Sequence, residues 1–288
     1  MVTETAMNPL SNCRLAFIGC GVMAEAIITG LLRRKMVSAD QIVGSHPRLA
    51  RREEMHVKYG VEMYEKNRDA VVEAYPEGPN DGSLLVLAVK PQRLYQVLEE
   101  LKGALVKEQL VISIVGGAKI ETIAEELLHA SVVRTMPNTP AQIGEGVTAW
   151  IASASVTEKQ ERQVCAMLDA LGKSVHVENE RQIDMATALS ATGPTYIFMV
   201  MEALIDAGVH LGFSRHVAEE LVHQTLLGSV LFARESHKHP AELRNMVTSP
   251  GGTSAEAIYQ MEKGSLRTIM SKAVWAAFKR AESLGKVR

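Results

Sequence analysis

The chain has 288 residues, 47 % of them apolar, and its 31 basic and 33 acidic side chains leave a net charge of −2. That length is enough for one large or two modest domains with a substantial core. The balanced charge and 5 % aromatic content argue against a nucleic-acid face, a base-stacking surface or a basic membrane patch.

Cys13, Cys20 and Cys165 are odd in number and lack a CxxC pair, which fits a reducing, cytoplasmic setting. Residues 1–12 are polar, carry Glu4 and Pro9, and read as a loose N-terminal arm without the apolar stretch of a signal peptide. No apolar run approaches ~18 residues, so no transmembrane helix is expected.

Strands and helices then alternate. Arg14 to Ile18 is a strand, and residues 22–35 are a helix with Ala24, Ile27, Ile28 and Leu31 on one face. Gln41 to Gly44, Leu84 to Val89, Val111 to Val115, Ser131 to Arg134 and Val147 to Ile151 continue the strands. Helical patterns lie near 48–58, 92–101, 119–128 and 157–171. This alternation predicts a parallel, doubly wound sheet over residues 1–177. After Ser174 to Val177 the pattern becomes helical throughout, so 178–288 is a second, all-helical domain. Its last helix has a wide stripe from Leu266 to Ala281, with Trp275 close to opposite, as a helix touching two surfaces would.

Gly19-Cys20-Gly21-Val22-Met23-Ala24 follows a predicted strand and opens a predicted helix, the G-x-G-x-x-A arrangement of a dinucleotide turn. Gly19 permits the turn, Gly21 admits a pyrophosphate, and the helix N-terminus supplies free N–H groups. At the end of the second strand, Gly44-Ser45-His46-Pro47-Arg48 has no acid for a ribose 2′-hydroxyl. Ser45 can instead bond a 2′-phosphate, and Arg48 or Arg51 can neutralise it, which favours NADP over NAD.

Three further strand ends carry loops suited to a shared ligand. Lys90-Pro91 leaves one, with Lys90 as an acid, a phosphate contact or an exposed stem. Val115-Gly116-Gly117 leaves another and lets backbone approach a ring. Met136-Pro137-Asn138-Thr139-Pro140 leaves the third, with Asn138 placed to position a nicotinamide. Far along the chain, Thr248-Ser249-Pro250-Gly251-Gly252-Thr253-Ser254 opens a helix and can aim N–H groups and a hydroxyl at one small carboxylate. Thr253 and Glu256 also have capping-box spacing. The histidines show no metal-ligand pattern, so no metal is expected.

Together with Ser190-Ala191-Thr192-Gly193-Pro194-Thr195-Tyr196, these segments resemble pyrroline-5-carboxylate reductases from about Arg14 to Leu284. The resemblance implies a Rossmann domain with a mostly parallel sheet, followed by an all-α dimerisation domain. It implies reduction of the cyclic imino acid 1-pyrroline-5-carboxylate to L-proline by NADPH; use of NADH is left open. It carries cofactor contacts onto Ile18, Gly19, Cys20, Gly21, Val22, Met23, Ser45, Asn67, Ala88, Val89, Lys90 and Pro91. It carries substrate contacts onto the Ser249–Ser254 loop, and it implies a homodimer or decamer. Ala191, Thr192 and Thr195 depart from the family's usual residues, Ser254 stands where Thr is usual, and His237 stands where some members have an acid.

A protonated imine is already electrophilic, so an oriented hydroxyl suffices and no strong acid is needed. Ser254 is assigned to the ring nitrogen, the glycine N–H groups to the carboxylate, and Thr253 chiefly to the helix cap. The competing readings are another NADP-linked imine or 3-hydroxyacid reductase, and a non-catalytic NADP-binding regulator. The hydroxyacid enzymes use a lysine on the first long helix of the second domain, and residues 183–204 contain none.

Overall fold

The computed structural model describes residues 8–75 and 82–285. Its strands are β1 (Arg14–Ile18), β2 (Ile42–Ser45), β3 (Glu62–Tyr64), β4 (Ser83–Leu87), β5 (Leu110–Ser113), β6 (Val132–Met136), β7 (Gly146–Ala152) and β8 (Gly172–His176). They form one sheet in the order β3-β2-β1-β4-β5-β6-β7-β8. The first six follow the 3-2-1-4-5-6 order of a dinucleotide-binding fold. Every pair is parallel except β6 with β7. The 137–145 connection between those two is too short for the crossover of about a dozen residues that a parallel pair needs.

The apolar strands are buried on both faces because helices cover both. Leu15, Phe17, Leu84, Val86, Leu110 and Ile112 pack with Ala24, Ile27, Ile28 and Leu31 of α1 (Val22–Arg33). Met55 of α2 (Leu49–Tyr59) joins that core. The alternate residues Ala16, Ile18, Leu85, Leu87 and Val111 pack instead with α3 (Asn67–Glu73), α4 (Leu94–Leu101) and α5 (Ile120–Leu127). α6 (Glu158–Asp169) returns to the first face through Val164, Met167 and Leu168. Each fully buried Leu, Ile or Phe contributes about 1.5–3 kcal/mol, so the period-2 split stabilises both layers.

Two expectations need correction. β3 and α3 were not foreseen: β3 is a three-residue edge strand, and α3 buries only Ala70 and Val71. The loose arm does not extend to residue 12. Residues 1–7 lie outside the described residues, but Leu10 is fully buried, and Gln41 Nε2 donates to the carbonyls of Leu10, Ser11 and Cys13 at 3.1, 3.0 and 2.7 Å. By length and composition alone, the continuous helical stretch Glu180–His210 is long and apolar enough to cross a membrane. Polar residues interrupt it, so it shows no unbroken apolar run, yet its average is apolar.

That stretch comprises α7 (Glu180–Ala186), a π-helical turn at Thr187–Ala191 and α8 (Gly193–His210). Pro194 has no N–H for the Ser190 carbonyl and would crowd it in a regular helix. The wider turn, with Thr192 N–H donating to the Thr187 carbonyl at 2.9 Å, relieves this. The Thr192 hydroxyl donates to the same carbonyl at 2.8 Å.

The chain divides into two compact units. One runs to Thr192 and takes in the chain again from Ala277; the other is Gly193–Ala276. The strands therefore end near residue 177, while the division falls later. The second unit holds α8, α9 (Arg215–Ser236), α10 (Pro240–Met246), α11 (Thr253–Lys263) and the first part of α12 (Leu266–Leu284). In the first unit, Phe278 and Ala281 of α12 are buried, and the Arg181 guanidinium lies 5.3 Å from the Phe278 ring centre.

Candidate functional site

Gly19-Cys20-Gly21 form the whole turn between β1 and α1. Gly19 has φ +88°, and a Cβ there would lie 2.7 Å from Val89 Cγ1 and 3.0 Å from the Ala88 carbonyl oxygen. Gly21, with φ −81°, has nothing within 4 Å of its absent Cβ. The fold needs glycine at Gly19; at Gly21 a side chain would meet open space. Gly21 is the N-cap of α1, and the N–H groups of Val22, Met23 and Ala24 have no partner among the described residues. Cys20 turns its polar atoms inward. Its N–H donates to the Ser45 carbonyl at 3.2 Å, its thiol to the Phe17 carbonyl at 3.7 Å, and its carbonyl accepts from Arg51 Nε at 2.9 Å. Burial pushes the Cys20 thiol up to about 12, so it is no nucleophile.

β2 ends beside this turn. The buried Ser45 hydroxyl donates to Asn67 Oδ1 at 2.7 Å, while Asn67 Nδ2 and N–H donate to the Glu100 carboxylate at 2.8 and 3.2 Å. Ser45 and Asn67 are thus brought together, and the Ser45 proton is committed to Asn67. The expectation for Arg51 as a free partner for a phosphate is corrected. It pairs with Glu25 at 2.5 Å and Glu54 at 2.7 Å besides holding Cys20. Arg52 holds the His46 carbonyl at 2.9 Å. Arg48 is exposed at the start of α2, and its guanidinium has no bonded partner among the described residues. Burial, then the nearby Arg48 charge, holds His46 below the usual imidazole range, so it stays neutral at pH 7.

The same strand edge carries the middle loops, because Ile18, Ser45, Leu87 and Ser113 lie in register. Ala88 N–H donates to the Ile18 carbonyl at 2.9 Å, and Val89 packs under Gly19. Lys90 and Pro91 are exposed, with Pro91 opening a short 3₁₀ turn. Val115 is buried, its N–H donating to Ser113 Oγ at 3.2 Å, and Gly116 is half-buried beside it. Asn138 Oδ1 accepts from Val147 N–H at 2.9 Å, which braces its loop against β7.

In the second unit, Ser249-Pro250-Gly251-Gly252 is a tight turn, closed by Gly252 N–H to the Ser249 carbonyl at 3.0 Å. Proline second and glycine third at φ +69° are the requirements of a type II turn. The turn delivers Gly252 as the N-cap of α11, with no side-chain cap. The Thr253–Glu256 capping box is therefore corrected: Thr253 is already inside the helix, and the Gly252 carbonyl takes the N–H groups of Ala255 and Glu256. Among the described residues, the N–H groups of Gly251, Thr253 and Ser254 and the hydroxyls of Thr253 and Ser254 are unpaired. Ser254 is half-buried and Thr253 exposed.

Two polar networks escaped sequence reading. Arg134, buried in β6, donates to Asp184 at 2.6 Å and to Glu180 at 3.1 Å; Glu180 also accepts from Ile120 N–H at 2.9 Å. A charge within an apolar strand, with acids four apart on a later helix, was the available signal. Glu25 accepts from Lys58 at 2.8 Å, Tyr59 at 2.6 Å and Arg51. Burial opposes its ionisation, but these three hydrogen bonds prevail and hold it at about 2. A cavity of about 830 Å³ lined by Lys107, His129 and Thr157 opens at the opposite, N-terminal edge of the sheet. It contains none of the expected site residues, and its rim residues Tyr75 and Gly82 flank the undescribed 76–81.

Comparison with known proteins accounts for both units. Residues 14–117 match the family model described as NADP oxidoreductase coenzyme F420-dependent, and residues 180–284 that of pyrroline-5-carboxylate reductase dimerisation. The pyrroline-5-carboxylate reductase of Synechocystis sp. is 38 % identical over 275 residues, covering 96 % of this chain and 99 % of the relative. A solved structure of the Coxiella burnetii reductase is 37 % identical with TM-score 0.85, covering 96 % of this chain and 100 % of the other. The Plasmodium falciparum pyrroline carboxylate reductase, solved with NADP bound, is 29 % identical with the same TM-score, covering 96 % and 99 %. The two family models span the glycine turn and the Ser249–Ser254 loop, and with 38 % identity over 96 % of its length the chain belongs to the pyrroline-5-carboxylate reductase family.

Proposed function

We propose that the chain reduces 1-pyrroline-5-carboxylate to L-proline with NADPH, the reaction for which its family is named. The observation that carries this is the 38 % identity to one such reductase across 96 % of the chain. The cofactor fits the residues present. The open space at Gly21 and the unpaired N–H groups of Val22 and Met23 suit a pyrophosphate, and Arg48 suits the 2′-phosphate. Ile18, Gly19 and Cys20 shape that turn, and Ser45 and Asn67 frame the ribose. Ala88, Val89, Lys90, Pro91, Val115, Gly116 and Asn138 border the nicotinamide half. When bound, NADPH supplies the hydride.

The chain's own contribution is to bind and orient. The N–H groups of Gly251, Gly252's neighbour Thr253 and Ser254 hold the substrate carboxylate at the positive end of α11, with Ser249 closing the turn behind them. The Ser254 hydroxyl hydrogen-bonds the ring nitrogen and fixes the face of the imine. Thr253, released from capping, is a second hydroxyl for the same substrate. The functional division is a cofactor domain at 1–177 and a dimerisation and substrate domain at 178–288. The protein works as a homodimer or a decamer in the cytoplasm. Phe198, Leu221, Phe232 and Ile269, exposed on the single chain, supply the contact. The apolar helix Glu180–His210 serves that contact rather than a membrane; the dimerisation family model covers it.

The test is NADPH oxidation by the purified chain with 1-pyrroline-5-carboxylate, with proline identified as product. Binding of NADPH without turnover would make it a non-catalytic regulator. Turnover only with another imine or a 3-oxoacid would make it a different reductase.

A further inference from the structure

Arg51 reaches no free edge of the cofactor turn, yet it grips the turn from behind. Its side chain is nearly buried and spends three nitrogens on three partners. Nε donates to the Cys20 carbonyl at 2.9 Å, one terminal nitrogen to Glu25 at 2.5 Å and the other to Glu54 at 2.7 Å. Glu25 lies in the first turn of α1, directly after the unpaired N–H groups of Val22 to Ala24. A bare carboxylate there would oppose the helix dipole's attraction for an anion. Lys58 also reaches Glu25 but does so from the solvent side, with a half-exposed side chain.

We infer that Arg51 is a positioning residue for the cofactor turn. It fixes the Cys20 carbonyl, and with it the direction of the following N–H groups, and it cancels the Glu25 charge beside them. It therefore governs the part that NADPH and NADH share, the pyrophosphate, and not the 2′-phosphate. This rests on the placement of the pyrophosphate at the start of α1.

The experiment compares wild type, Arg51→Met, Arg51→Lys, Arg51→Met with Glu25→Gln, and Gly21→Val, in the full chain. Cofactor binding is titrated directly, and KM and kcat are measured with both cofactors. Arg51→Met should raise Kd and KM for NADPH and for NADH by the same factor, about tenfold for one charge-assisted contact, with kcat nearly unchanged. Adding Glu25→Gln should recover part of the loss. Arg51→Lys, which keeps the charge but not the planar fork, should show a smaller loss, again equal for both cofactors, and it serves if Arg51→Met does not fold. A loss confined to NADPH would overturn the inference, as would a lower melting temperature with unchanged KM. Undiminished cofactor binding by Gly21→Val would instead refute the pyrophosphate placement beneath it.

Discussion

The two glycines of the cofactor turn should respond oppositely to one methyl group. At Gly19 an alanine meets φ +88° and a Cβ 2.7 Å from Val89 Cγ1. The left-handed backbone costs about 1–2 kcal/mol for an L-residue, and the overpacking adds about 1–3 kcal/mol. Gly19→Ala should therefore lose about 2–5 kcal/mol of stability, with cofactor binding lost alongside. At Gly21 φ is −81° and nothing lies within 4 Å. There the smaller unfolded-state entropy stabilises by about 0.4–1 kcal/mol, and the poorer N-cap costs a similar amount. Stability should stay within about 1 kcal/mol of wild type. The methyl group would nonetheless stand where the pyrophosphate is proposed to approach, and a displaced charge-assisted contact is worth about 1.5–3 kcal/mol, or roughly 10–100-fold in NADPH affinity. Urea unfolding midpoints and NADPH titrations of both variants measure the two quantities separately. Wild-type NADPH affinity in Gly21→Ala, or equal destabilisation of the two variants, would refute the reasoning.

Arg48→Ala should raise the KM for NADPH by roughly 10–100-fold and leave that for NADH unchanged, which steady-state kinetics with both cofactors will show. Ser254→Ala should lower kcat by about tenfold or more with an unaltered unfolding midpoint, for loss of one orienting hydrogen bond; unchanged kinetics would remove Ser254 from the mechanism. Arg134→Met leaves Glu180 and Asp184 without their shared cation, and should cost about 3 kcal/mol in urea unfolding. Glu25 is held at about 2 against an ordinary 4.5. Because the folded value is the lower one, its stabilisation is present above 4.5 and is lost as pH falls toward 2. The stability gap between wild type and Glu25→Gln should therefore close across that window, as pH-dependent unfolding will report.

Where a feature was written in local pattern, the sequence disclosed it. The stripe Ala24, Ile27, Ile28 and Leu31 identified α1, and the uninterrupted run before Lys90 identified a strand buried on both faces. Where it depended on distant partners, the sequence was silent. Asn67 came only through family resemblance, because its role is set by Ser45 and Glu100, on two other elements. Arg48 and Arg51 looked alike as neighbours on one predicted helix. They differ because Glu25, on another helix, claims Arg51. Thr253 and Glu256 had the spacing of a capping box, but the type II turn at Ser249–Gly252 starts the helix one residue earlier than the box requires. β3, at three residues, is shorter than any alternation can register.

The Ser249–Ser254 loop sits on a scaffold that cannot stand on its own core. Among the described residues of Gly193–Ala276, only Ile205 and Ala218 are buried hydrophobics, while Phe198, Leu221, Val230 and Phe232 are exposed along α8 and α9. A unit of that size normally buries well over half its surface, so these exposed faces leave much apolar burial for association to supply. On the proposed homodimer, the second copy supplies that burial and so also supports the loop proposed to receive the substrate carboxylate. Substrate binding then draws on an assembly equilibrium, whereas the cofactor turn rests on the deep core beneath β1, where Leu15 and Phe17 are fully buried. Dissociation would therefore weaken substrate binding before it weakens NADPH binding, and the two titrations, followed against protein concentration, would separate.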